Sequence, residues 1–189
     1  LVNRTIEEVA MSTTRIGTFV VMFAAATALL AASPAHAQQK YRIARAPSST
    51  TQYLQQHAID VGDAPGHQVR VYEIHYDYPN KDLAFAGVTV KEALVRGVSD
   101  YVNFSGPFTS YTVYFLEDGD KVFTRATGTS LLTTGADGNQ VVRFSGAENF
   151  IGGTGKFKGI RGQLIVSGER ATVAKSLTFQ QSGEYWLEE

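Results

Sequence analysis

The stretch Val71-Tyr72-Glu73-Ile74-His75-Tyr76-Asp77-Tyr78 sets an acid, an imidazole and a second acid at alternate positions. In an extended chain alternate residues share a face. Val71, Glu73, His75 and Asp77 then point one way, and Tyr72, Ile74, Tyr76 and Tyr78 the other. If the first face lines an apolar interior, the charged form of its carboxylate is disfavoured and the nearby imidazole can give or take the proton. Glu73 and His75 are therefore the candidate catalytic pair, polarising a bound molecule or shuttling a proton, with Val71 beside them as a candidate ligand contact. If the tyrosine face is core instead, with hydroxyls reaching buried partners, the pair faces solvent. The sequence leaves both faces open. The triplet also offers metal-ligand types, but Glu73 and Asp77 stand about 13 Å apart along an extended strand, too far to share one ion. No metal site and no cofactor are expected.

Other chemistries find less support. The chain has no cysteine, which excludes thiol catalysis and thiolate metal sites. No G-x-S-x-G occurs, and Ser105, Ser110 and Ser145 have no adjacent base in the sequence. The stretch FIGGTGKFKGIRGQL, Phe150 to Leu164, has five glycines and three basic residues. A phosphate loop needs a helix after it and glycines at fixed offsets from its lysine. Here Phe150 stands where the Walker pattern wants glycine, Phe157 follows Lys156, and Lys158 breaks G-x-G-x-x-G. The segment after Gly162 alternates like a strand. The glycines read as a corner where strands pass close to one another, with Phe150, Ile151 and Phe157 anchoring it. Lys156, Lys158 and Arg161 read as its solvated rim. The aromatics of the central chain, Phe104, Phe108, Tyr111, Tyr114, Phe115 and Phe123, are expected to be mostly core. Phe104 and Tyr114 are candidates for lining a ligand cavity.

These residues need strands to position them. Apolar and β-branched residues recur with period two over Gln68 to Asp77, Tyr101 to Phe104, Thr109 to Leu116, Lys121 to Leu132, Gln140 to Ala147, Gly162 to Val166 and Thr172 to Gln181, with a weaker candidate over Val88 to Val98. Glu117 to Asp120 and Gly135 to Asn139 are turns. No strong amphipathic helix interrupts them. Turns at this spacing predict an all-β, antiparallel sandwich or barrel.

The corner Phe-Ile-Gly-Gly-Thr-Gly-Lys-Phe-Lys-Gly-Ile-Arg-Gly, Phe150 to Gly162, resembles the G-G-T-G-x-F-x-x-x-x-G signature of dirigent proteins and the related loop of allene oxide cyclases. The resemblance spans Val69 to Phe179. It implies a single antiparallel eight-stranded β-barrel with an apolar lumen, and a homotrimer or homodimer as the oligomer. Tyr72-Glu73-Ile74-His75 is similar to the Tyr-Glu-Ile-Asn stretch of the cyclases. By that match Glu73 takes the place of the lumen glutamate, and His75 replaces an asparagine. Dirigent proteins use aspartates and an arginine in the lumen, for which Arg125, Arg143 and Asp100 match by type, Arg125 as a ligand contact.

Composition bounds the partners. The chain has 189 residues and a formal net charge of −1, with no pull toward nucleic acid or an anionic membrane. Arg15, an apolar run from Ile16 to Ala32 and Ala35-His36-Ala37 read as a secretion signal and its cleavage site. The expected organisation is therefore an upstream extension and signal over residues 1–37, a polar arm over 38–66 and a barrel over 67–189. The mature protein is expected to be secreted or periplasmic and free of the membrane. Three functions fit: a cofactor-free cyclase, isomerase or stereochemical guide acting on an apolar or phenolic intermediate; a non-catalytic binding barrel for an apolar small molecule; or a fully packed structural barrel.

Overall fold

The computed structural model describes residues 39–45, 49–135, 138–171 and 177–188. The expected signal and upstream extension, residues 1–37, lie outside them. The described chain forms ten strands: β1 (Lys40–Arg45), β2 (Thr50–Asp60), β3 (His67–Asp77), β4 (Ala84–Phe85), β5 (Val88–Val102), β6 (Gly106–Leu116), β7 (Lys121–Thr134), β8 (Gln140–Gly153), β9 (Ile160–Ala171) and β10 (Leu177–Leu187). They form antiparallel ladders in the order β1-β10-β9-β8-β7-β6-β5-β3-β2, with β4 on β5. The all-β antiparallel expectation holds. The strand count differs because residues 38–66 are not a loose arm. They carry β1, laddered to β10, and β2, laddered to β3. β2 is exposed along its whole length. Its sequence lacks apolar alternation because its backbone, not its side chains, ties it to the sheet.

No ladder joins β1 to β2 among the described residues. The sheet still curls until its two sides meet through side chains. Tyr76 of β3 packs edge-on to Phe179 of β10, with ring centroids 6.0 Å apart. Arg170 of β9 donates to the Tyr53 hydroxyl of β2 at 3.0 Å.

One end of the enclosed space is packed. The β3–β5 connection tucks inward there, and Leu83 and Phe85 are fully buried. The Phe85 ring lies 5.2 Å from Tyr114, 5.6 Å from Phe150 and 5.7 Å from Tyr185. The Ala86 N–H donates to the Tyr185 hydroxyl at 2.6 Å. Burying one such ring stabilises by roughly 1.5–3 kcal/mol. Toward the other end the inward positions shrink to Ser99, Ser110, Thr112 and Ala126, and they border open space.

The glycine stretch is the β8–β9 corner. A Cβ on Gly153 would lie 2.4 Å from the Lys121 carbonyl oxygen, so only glycine lets the chains pass. Gly155 opens a single 3-10 turn at φ 50°. The Thr154 hydroxyl accepts from the Lys121 N–H at 2.8 Å and donates to Asp120 Oδ1 at 3.0 Å. Phe157 is fully buried and anchors the corner. A strand follows, not a helix, so no helix N-terminus is presented to an anion.

Candidate functional site

The unpacked end is a cavity of about 510 Å³, open on one side and lined from eight strands. Period-two alternation builds it. From β3 come Arg70, Tyr72, Ile74 and Tyr76; from β6, Phe108, Ser110 and Tyr114; from β8, Phe144 and Glu148; from β10, Phe179 and Gln181. The walls mix aromatic rings with hydroxyl and small aliphatic side chains. Burial raises the Tyr72 and Tyr76 phenols well above their ordinary range, so both stay neutral.

The floor is polar. Glu148 is 3% exposed, with Gln181 equally buried. Both lie between the packed end and the cavity: along β8 Glu148 falls between Phe150 and Phe144, and along β10 Gln181 falls between Tyr185 and Phe179. Glu148 Oε1 accepts from the Tyr114 hydroxyl at 2.8 Å and from the Thr124 hydroxyl. Glu148 Oε2 accepts from Gln181 Nε2 at 3.1 Å, and the same amide nitrogen donates to the Tyr114 oxygen at 3.0 Å. Burial pushes the Glu148 carboxyl up from its ordinary value, against the lowering effect of the Thr124, Tyr114 and Gln181 hydrogen bonds. Burial, and then the Glu148 charge, hold the Tyr114 phenol well above its ordinary value. Every donor of this network is spent within it. The Gln181 amide oxygen is buried and has no donor among the described residues. The floor's unused capacity is therefore acceptor capacity.

The mouth is basic. Arg70 and Arg170 line it, each half-buried. The Arg70 guanidinium faces the Gln56 amide, whose oxygen accepts from it once the amide is turned end for end, and lies over the Phe104 ring. That of Arg170 lies over the Tyr53 ring. Neither has a carboxylate partner among the described residues, whereas Arg42, Arg96, Arg143 and Arg161 on the outer surface each have one. Gln181 is the ladder partner of Val166. Arg170 lies four residues further along β9, so floor and mouth are about 13 Å apart.

Of the candidate catalytic and ligand-contact residues, Tyr114 lies in this cavity and Glu73, His75, Val71, Phe104 and Arg125 do not. The tyrosine face of β3 points inward. Glu73 and His75 are on the outer face, where Glu73 pairs with Arg96 and His75 Nε2 with Glu92 at 2.8 Å. The physical reason is that the aromatic rings bury more apolar surface than Val71 and two charged side chains would. Val71 is 55% exposed. Phe104 occupies the β5–β6 turn at φ 64°, where it backs Arg70 from outside. Arg125 is exposed and lies over the outer Tyr111 ring. Arg143 pairs with Glu169, and Asp100 with His67. Glu148 and Gln181 were not singled out. The signal for Glu148 was there: on one strand it shares a face with Phe144 and Phe150, an acid among aromatics.

No protein-family model, no curated protein and no solved structure matches the chain.

Proposed function

We propose that this protein binds an amphipathic small molecule in the cavity, roughly 13 Å long, with an aromatic or apolar body. Its inner end carries a hydrogen-bond donor, a hydroxyl or an N–H, directed at the Gln181 oxygen and Glu148. Its outer end carries an anionic group facing Arg70 and Arg170. The observation that carries this reading is the buried Gln181 amide beneath the open cavity, its oxygen without a donor among the described residues: a buried acceptor left unpaired costs about 1–3 kcal/mol, and a ligand donor that reaches it removes that cost. On this reading the curled sheet acts as one barrel, of the kind the resemblance to dirigent proteins and allene oxide cyclases implies, with its lumen carboxyl on β8 and not on β3.

The dye 1-anilinonaphthalene-8-sulfonate has the required parts: an aromatic body, an N–H and a sulfonate. One dye per chain should bind saturably with enhanced fluorescence. Ala126→Phe and Ser110→Leu, which fill the cavity, should abolish binding, and Arg70→Ala with Arg170→Ala should weaken it. Enhancement that never saturates, or that both filling variants leave intact, overturns the reading.

A second reading, a cofactor-free isomerase or cyclase, is favoured by the Glu148 carboxyl at the cavity floor, which burial raises above its ordinary value and so suits to exchange a proton with a bound molecule. Native mass spectrometry of protein from its host supplies the molecule to test. Glu148→Gln keeps the shape of the floor. Loss of conversion with binding retained supports catalysis, and no conversion by the unaltered protein leaves the binder.

A further inference from the structure

The outer face of β3 has its own cluster, unrelated to the cavity. Asp77 and Glu92 are direct ladder partners on β3 and β5, and His75 stands two residues before Asp77 on the same face. His75 Nε2 lies 2.8 Å from Glu92 Oε2, and His75 Nδ1 lies 3.8 Å from Asp77 Oδ2. One donor atom from each of the three falls within 4.8 Å of the others. The cross-strand partner resolves the difficulty met along one strand: Glu92 replaces the distant Glu73 as the third ligand.

We propose that His75, Asp77 and Glu92 bind one divalent transition-metal ion. Three features support it. The donors converge from two backbone-fixed positions on a rigid ladder and a third two residues along, so little ordering is needed. Neither Asp77 nor Glu92 has a lysine or arginine partner among the described residues, while the outer acids Glu73, Glu169, Glu184 and Glu188 each face an arginine. Two carboxylates around one imidazole thus lack a fixed positive charge. The donor set also selects the ion. One imidazole with two carboxylates suits Zn²⁺, Co²⁺, Mn²⁺ or Ni²⁺ over the all-oxygen preference of Ca²⁺ and Mg²⁺. Ligand bonds of roughly 2.0–2.2 Å require the donors to draw in slightly, and the partly exposed side chains are free to do so. Three protein ligands leave further positions for water or an exogenous group.

The other histidine between two acids makes the contrast. His67 has Asp63 on Nδ1 and Asp100 on Nε2, on opposite sides of its ring, so they share no ion with it.

The test titrates the untagged full chain, stripped with chelator, with Zn²⁺ by calorimetry and with Co²⁺ by its visible absorption. One ion per chain is expected, with micromolar affinity and cobalt bands of a low-symmetry site. His75→Ala should abolish binding, and Asp77→Asn with Glu92→Gln should weaken it by more than about tenfold. His67→Ala should leave it unchanged. The isosteric pair keeps the test valid if His75→Ala does not fold, with circular dichroism as the check. Absence of saturable binding, binding no tighter than millimolar, or binding that survives these changes overturns the proposal. Cavity-filling variants do not touch the site, so its outcome is independent of the dye experiment.

Discussion

Glu148 and Glu73 are both mid-strand glutamates, and each accepts hydrogen bonds from side chains of other strands. Glu73 faces out and is matched by a guanidinium half in water. Glu148 faces in and is matched by two hydroxyls and an amide, all neutral. The difference follows from solvation. A guanidinium drawn fully inside would lose its hydration, whereas neutral donors satisfy a buried carboxyl at far smaller cost. An acid in strand sequence therefore does not reveal its face. Its partners do, and they come from other strands.

If the inner face carries the stability, truncating it should cost most at the packed end. Phe85→Ala should lose about 3–5 kcal/mol, because its ring touches three others. Val71→Ala, on the exposed outer face, should stay within about 0.5 kcal/mol. Chemical denaturation of the two variants checks this. Equal losses would mean that the outer face is also covered, as in an oligomer.

The next largest effect separates the two glutamates. Tyr114→Phe removes one donor from a buried carboxyl and should cost about 1–3 kcal/mol. Arg96→Gln breaks a half-exposed ion pair and should cost no more than about 1 kcal/mol. Salt sharpens the comparison: rising ionic strength should shrink the Arg96 effect and leave the Tyr114 effect in place.

Much of the sheet was legible because its strands alternate and its turns use Gly, Asp and Asn. β3, β6 and β7 matched within a few residues. The glycine corner was legible too, since its offsets fit no phosphate loop. β2 was not, because an edge strand exposed on both faces has no apolar period to read. Of the candidate ligand contacts only Tyr114 lies in the site, and the tyrosine face of β3 was legible as one of two open alternatives. The strand predicted over Gln140 to Ala147 stops one residue short of Glu148. β8 runs on to Gly153. Gln181 closed the predicted last strand and carried no sign that its amide would meet a carboxyl from β8. Such meetings are set by register across non-neighbouring strands, which no single-strand pattern encodes.

The smallest effects lie in pH, and they place the two faces in different windows. The Glu148 carboxyl is raised in the folded protein from an ordinary value of 4.5. The folded state then holds a proton that the unfolded chain has released, so stability falls as pH climbs from about 4.5 toward the folded value and stays lower above it. His67 on the outer side is raised from 6.5, by hydrogen bonds to Asp100 and then Asp63. Its contribution is complete below about 6.5 and is lost as pH rises through its folded value. Both losses run in the same direction, and substitution separates them. Melting temperature followed across pH should lose its lower-pH decline in Glu148→Gln and keep the upper one. His67→Asn should do the reverse, with the smaller change of the two, because its partners Asp63 and Asp100 are largely exposed to screening solvent. If Glu148→Gln instead removes a rise in stability with pH below about 4.5, the carboxyl ionises more readily in the fold than in the unfolded chain, and the neutral partners hold a charge that this comparison assigns only to the outer face.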